Sequence, residues 1–130
     1  MMNSKNINIW HQIVATKDLK KLDEILDNDV VFHSPVVHTL QVGKEITKQY
    51  LTAAFHVFFD DSFKYVNEVI NERKAVLEFM VVLDDIIVNG VDMIQWDDEG
   101  KITEFKVMIR PLKAINLIHQ KMAAMLERNK

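Results

Sequence analysis

Residues 90–112 read GVDMIQWDDEGKITEFKVMIRPL, and the fold turns on how they are read. Asp92, Ile94 and Trp96 recur at every second position, the period of a strand with one buried face. WDDEGK is a turn signal, and the chain then resumes as the β-branched and aromatic run KITEFKVMIR. Two such runs joined by a short acidic turn predict an antiparallel hairpin. Gly90, inside the long run IIVNGVDMIQW, predicts a bulge that bends the strand. Pro111 predicts the first residue of a final helix, whose Ile115, Ile118, Met122 and Met125 fall on one stripe.

Outward from this hairpin, SFKYVNEVI and KAVLEFMVVL are two further extended segments, with a turn predicted at Asp84-Asp85. Between Lys44 and about Phe59, Ile46, Tyr50, Ala54, Val57 and Phe58 recur at helical spacing. VVFH, residues 30–33, predicts a short strand that stops at Ser34-Pro35, because proline drives the preceding residue out of the α region. Ile9, Ile13 and Val14 mark a first helix. Leu19, Leu22, Ile25 and Leu26 mark a second, capped by Asp18. The order is helix, helix, strand, helix, four consecutive strands, helix. It predicts one α+β domain over residues 1–130, with helices on one face of a curved antiparallel sheet. A sheet curled in this way and partly closed by helices leaves a hollow.

Composition narrows the function. Hydrophobic residues make up 48% of the chain, enough for a core plus a lined cavity or a subunit interface. Lys and Arg number 16 against 19 Asp and Glu, which argues against a nucleic-acid surface. With no cysteine, only His and carboxylates are left as metal ligands. His33 and His38 lack a third ligand at a recognisable spacing and read as loop or interface histidines, so neither metal nor cofactor is expected. MMNSKNINIW has no apolar stretch of the secretory kind, and runs such as FMVVL are far too short for a membrane span. A soluble, cytoplasmic protein without a membrane partner is the expectation.

DLKKLDEILDNDVVFHSPVV, then Gly43, then GVDMIQWDDEGKITEFKVMIRPL resemble, in this order and spacing, the nuclear transport factor 2-like superfamily, also called SnoaL-like. That group includes ketosteroid isomerases, polyketide cyclases and limonene epoxide hydrolases, and the resemblance covers nearly the whole chain. It implies a cone-shaped α+β fold with an interior pocket. In ketosteroid isomerases an Asp is the general base, while a Tyr and a protonated Asp form the oxyanion hole. The resemblance puts Ser34 in the place of the base, Trp10 in that of the tyrosine, and Asp92 in that of the protonated acid. A serine without an adjacent base cannot take an α-proton, so steroid isomerisation by that route is not expected. The epoxide hydrolase constellation falls on Val81, Phe79 and Val107, none of which can perform it.

The resemblance also selects the inward positions: Phe32 and Ser34 on the first strand, Phe79 and Val81 further on, and Phe105, Val107 and Ile109 on the last. Together with Trp10, Ile94 and Trp96 they describe an apolar pocket around the Asp92 carboxyl, suited to a small apolar molecule with one or two polar handles. His56, on the third helix, is the second candidate for an acid-base role. Val76, Met80, Val82 and Met108 would face outward as an apolar patch, and the superfamily's use of that face implies a homodimer. Two functions follow as expectations. One is acid-base isomerase, cyclase or hydratase chemistry centred on Asp92. The other is a non-catalytic dimeric module for ligand binding or protein interaction.

Overall fold

The computed structural model describes residues 2–128, with side chains from Lys5 to Arg128. The elements run α1 (Met2–Thr16), α2 (Leu19–Ile25), β1 (Leu26–His33), β2 (Gln41–Val42), α3 (Lys44–Phe58), β3 (Lys64–Ile70), β4 (Lys74–Leu83), β5 (Ile86–Trp96), β6 (Ile102–Arg110) and α4 (Leu112–Arg128). The strands form one curved, unclosed sheet in the order β2-β1-β6-β5-β4-β3. From β3 to β6 it is an antiparallel meander, as the sequence predicts. β1, however, runs parallel to β6. No hairpin joins these two strands, so the intervening crossings set their relative direction and the sheet is mixed.

Local chemistry accounts for the boundaries. Asp18 caps α2 by accepting the Lys21 amide proton at 3.0 Å. Leu26 leaves the second helix and opens β1, which is longer than the VVFH strand expected. Gly43 caps α3 with φ at 111°, a backbone that a side chain would strain, and its amide donates to Val30 O at 2.8 Å. Asp84 and Asp85 take φ values of 50° and 65° in the two-residue turn between β4 and β5. Pro111 sits one residue ahead of α4, where its carbonyl accepts from the Ala114 and Ile115 amides.

Gly90 corrects an expectation. The β4–β5 ladder passes through it unbroken from Lys74↔Gln95 to Leu83↔Ile86, and the irregularity in β5 lies instead between Gln95 and Trp96. Gly90 pairs with Phe79, and a Cβ there would stand 2.5 Å from Phe79 Cζ and 2.7 Å from the Met108 carbonyl oxygen. The glycine makes room for a ring rather than bending the strand. Gly90→Ala should therefore cost about 1–3 kcal/mol through overpacking. Urea unfolding measures it, and a variant as stable as the parent would mean that the ring yields freely.

Period two divides the sheet cleanly. On the inner face, Ala75, Ile94 and Phe105 form one cross-strand row, Leu77, Asp92 and Val107 the next, and Phe79, Gly90 and Ile109 a third. Helices cover this face in two clusters. One gathers Trp10, Ile13, Leu22, Phe32, Ile94, Trp96 and Phe105 beneath α1 and α2. The other gathers Phe58, Phe79, Val81, Leu83, Ala114 and Ile118 beneath α3 and α4. Among the described residues no helix covers the outer face, and Val82, Ile87 and Met108 are exposed there beside part-buried Met80 and Val91. Among the described residues no helix is long and apolar enough to cross a membrane.

Candidate functional site

Where the two clusters meet, the inner face is incompletely filled. A chamber remains, walled by aromatic rings from α1, α3 and the sheet, among them Trp10, Phe32, Phe55, Phe58, Phe79 and Phe105, with Val107 beside them. It holds about 40 Å³ open to the centre of a water molecule. Asp92 is its one charged lining residue and is only 8% exposed.

Asp92 is not alone. Tyr65, on β3, donates its hydroxyl proton to Asp92 Oδ2 at 2.7 Å. Trp10 Nε1–H in turn donates to the Tyr65 hydroxyl oxygen at 3.0 Å. The indole is held edge-on to Phe55 and tilted against Phe105, with ring centroids 6.0 and 5.2 Å away. A strand two places from β5 and a helix above the sheet thus converge on one carboxyl oxygen. Burial raises the Asp92 pKa from 3.8 to about 7, against the lowering effect of the Tyr65 hydrogen bond. Burial first, and then the Asp92 charge, holds the Tyr65 phenol well above its usual range. Near neutral pH the carboxyl is divided between its two forms. One form donates a proton and the other accepts one, inside walls that are otherwise hydrocarbon.

Removing the phenol oxygen isolates its effect. In Tyr65→Phe the Asp92 midpoint should move upward from about 7, because the lowering hydrogen bond is gone while burial remains. A carbon-detected NMR titration of the carboxyl reads this directly, and a midpoint that stays or drops would contradict it.

A wider vestibule adjoins the chamber, with about 230 Å³ open to the centre of a water molecule. Its walls come from the Ser34–Val37 loop, Tyr50 of α3, and Ile118, Met122 and Leu126 of α4. The Ser34 hydroxyl oxygen accepts the Val36 and Val37 amide protons at 3.1 and 3.2 Å, so it shapes the loop at the lip.

The residues singled out from sequence separate accordingly. Trp10, Phe32, Phe79, Asp92, Phe105 and Val107 border the chamber, and Ser34 borders the vestibule. Ile94 and Trp96 share the parity of Asp92 but are packed solid beneath α1 and α2. Val81 is buried in the second cluster and Ile109 packs against it; neither borders the chamber or the vestibule, and Ile109 lines instead an open surface cavity beside the Ser34–Val37 loop. His56 is a correction: it is exposed in the last turn of α3 and borders neither space, because its helix turns Phe55 and Phe58 inward instead. His33 faces away from the chamber and pairs with Glu104 at 2.7 Å. No group of three potential metal ligands occurs among the described residues.

Tyr65 escaped sequence reading. Its strand is mostly exposed, and the ladder slips between Tyr65 and Asn67, which blurs the alternation. The available signal was the Phe63–Tyr65 spacing, two aromatics that fall on one side at the start of an otherwise mostly exposed strand.

Comparison with known proteins agrees with this architecture. Residues 8–105 match the family model of the SnoaL-like domain. A steroid delta-isomerase from Pseudomonas aeruginosa superposes with a TM-score of 0.90 at 31% identity, over 97% of this chain and 92% of the other. An uncharacterized protein conserved in bacteria with a cystatin-like fold, from Silicibacter pomeroyi, gives 0.83 at 26%, over 92% and 83%. An NTF2-like protein of unknown function from Mesorhizobium loti gives 0.71 at 16%, over 85% and 95%, and speaks to the fold alone. No curated protein matches the chain.

Proposed function

Because this chain belongs to the SnoaL-like family, we propose that it binds a small, largely apolar molecule carrying one oxygen function, and that Asp92 exchanges a proton with it. The observation that carries the reading is a buried carboxyl, hydrogen-bonded by Tyr65, in an aromatic chamber that shares lining residues with a wider vestibule; burial raises the pKa of that carboxyl to about 7. In its neutral form Asp92 donates a hydrogen bond to a ligand carbonyl. In its ionised form it accepts a proton from the carbon beside that carbonyl and returns it there or further along the conjugated system. Isomerisation, cyclisation and hydration all contain such a step. Tyr65 and Trp10 act as positioning residues, since their donated hydrogen bonds already end on Asp92 Oδ2 and on the Tyr65 oxygen.

The test is deuterium exchange at the α-carbon of methyl pentyl ketone in heavy water, for the parent protein and for Asp92→Asn. The parent should accelerate exchange with a midpoint near pH 7, and the variant should lose the acceleration. Binding without exchange would instead favour a non-catalytic module, a reading supported by the lack of a second acid or base in the chamber lining. No binding of ketone by the parent would defeat both. A β,γ-unsaturated ketosteroid belongs in the same panel because a steroid delta-isomerase is a structural relative. Its conversion should be negligible, because an inner chamber of about 40 Å³ is too small to bring a fused-ring skeleton to Asp92, and Ser34 at the lip cannot act as the base in its stead.

We further propose a homodimer through the outer sheet face, supported by Val82, Ile87 and Met108, which are 46%, 58% and 50% exposed. Sedimentation should give a dimer for the parent and a monomer for Met108→Glu. A monomeric parent would remove this proposal.

A further inference from the structure

The chamber and the vestibule are not independent spaces. Phe32, Ala54, Phe58 and Val107 border both, so they form a waist between the two. Asp92 lies on the inner side of that waist and belongs to the chamber lining alone. The inner volume, about 40 Å³, is the smaller of the two and suits a slim chain end rather than a fused-ring skeleton. The outer volume is several times larger, about 230 Å³, and its α4 wall presents Ile118, Met122 and Leu126 at four-residue spacing. The polar side chains of the vestibule are three: the Ser34 hydroxyl is committed to two loop amides, His119 is exposed, and Tyr50 packs its ring against Phe32.

We infer that the vestibule is a second subsite, which takes the aliphatic tail of a molecule whose carbonyl end passes the waist to Asp92. The ligand class is therefore an elongated alkyl ketone or aldehyde with its oxygen near one end. This inference rests on the proposed role of Asp92 and adds the shape of the ligand to it. Ala54 is the specificity-determining residue of the waist, since its methyl group is the smallest side chain there and any larger one narrows the passage.

A homologous series of methyl n-alkyl ketones, from propyl to undecyl, tests the subsite through quenching of tryptophan fluorescence in a Trp96→Phe background, where Trp10 is the one indole left. Each methylene added to the tail should tighten binding by about fourfold until the vestibule is full, the gain expected for burial of one CH₂. Met122→Phe fills part of the vestibule from the part-buried face of α4 without adding an indole, so the gain should stop at a shorter chain. Ala54→Leu should remove most of the gain for long chains. Circular dichroism establishes that each variant is folded.

Equal affinity across the series, or a break point that neither variant moves, would overturn the second subsite. That outcome is distinct from failure of the Asp92 reading, in which Asp92→Asn would leave both affinity for the shortest ketone and its α-carbon exchange untouched. Tighter binding of the ketosteroid than of any alkyl ketone would likewise overturn the inference, because the inner chamber would then admit a ring.

Discussion

Asp92→Asn should unfold at higher urea than its parent above pH 7 and, in the same protein, lose about 100- to 10,000-fold of its proton-transfer rate. The stability half of this result follows from linkage. The carboxyl titrates at 3.8 in an ordinary environment and at about 7 in the fold. Because the folded pKa is the higher one, the folded state holds more protons than the unfolded state between these values, and stability falls as pH rises through that window. The separation is about 3 pH units, and at ~1.36 kcal/mol per unit it amounts to up to about 4 kcal/mol, fully expressed above pH 7. Asparagine keeps the shape of the neutral acid and offers Tyr65 an oxygen, but it never ionises. The difference between variant and parent should therefore be small near pH 4, grow through the window, and level off above pH 7. A difference that does not vary with pH would show that the carboxyl is solvated and the chamber wet.

Trp10→Ala should be the most damaging single core change, at about 3–5 kcal/mol. Trp10 is 1% exposed and stands between Phe55 and Phe105. Truncation removes those ring contacts and opens a void next to an already incompletely filled chamber. It also leaves the Tyr65 oxygen without the N–H that it accepts. Trp10→Phe separates the two effects: it retains most of the apolar packing and deletes the donor. Its stability should lie well above that of the alanine variant. Its Asp92 midpoint should rise, because a Tyr65 hydroxyl no longer polarised by the indole is a weaker donor to the carboxylate. Urea unfolding of the two variants side by side checks the packing half, and equal losses would refute it. The Asp92 titration checks the relay.

These variants also mark how far the chain could be read in advance. Asp92, Phe105 and Val107 were placed on one inner face by alternation and by resemblance, because a strand offers only two sides and an apolar face is unmistakable. Ile94 and Trp96 obey the same alternation yet border neither the chamber nor the vestibule, since period two reports which side a residue faces and not whether a helix has sealed the space above it. His56 failed for a related reason. Its helix was legible, but a one-residue difference in helical phase from Phe55 sends it to solvent.

Every element but the two-residue β2, the meander from β3 to β6 and the turn at Asp84-Asp85 are legible in the chain itself, because they rest on local periodicity and turn chemistry, which act over a few residues. The inward side of Asp92 is legible only through the family resemblance, since alternation groups residues on a face without saying which face is inside. Tertiary structure alone decided the parallel pairing of β1 with β6, the use of Gly90 as a seat for Phe79, and the Trp10–Tyr65–Asp92 chain. Trp10 and Tyr65 are 55 positions apart, and Tyr65 and Asp92 are 27 apart. No local rule couples residues at such separations; the curvature of the sheet brings them within hydrogen-bonding distance, and the aromatic walls then keep water from competing for the bonds they form.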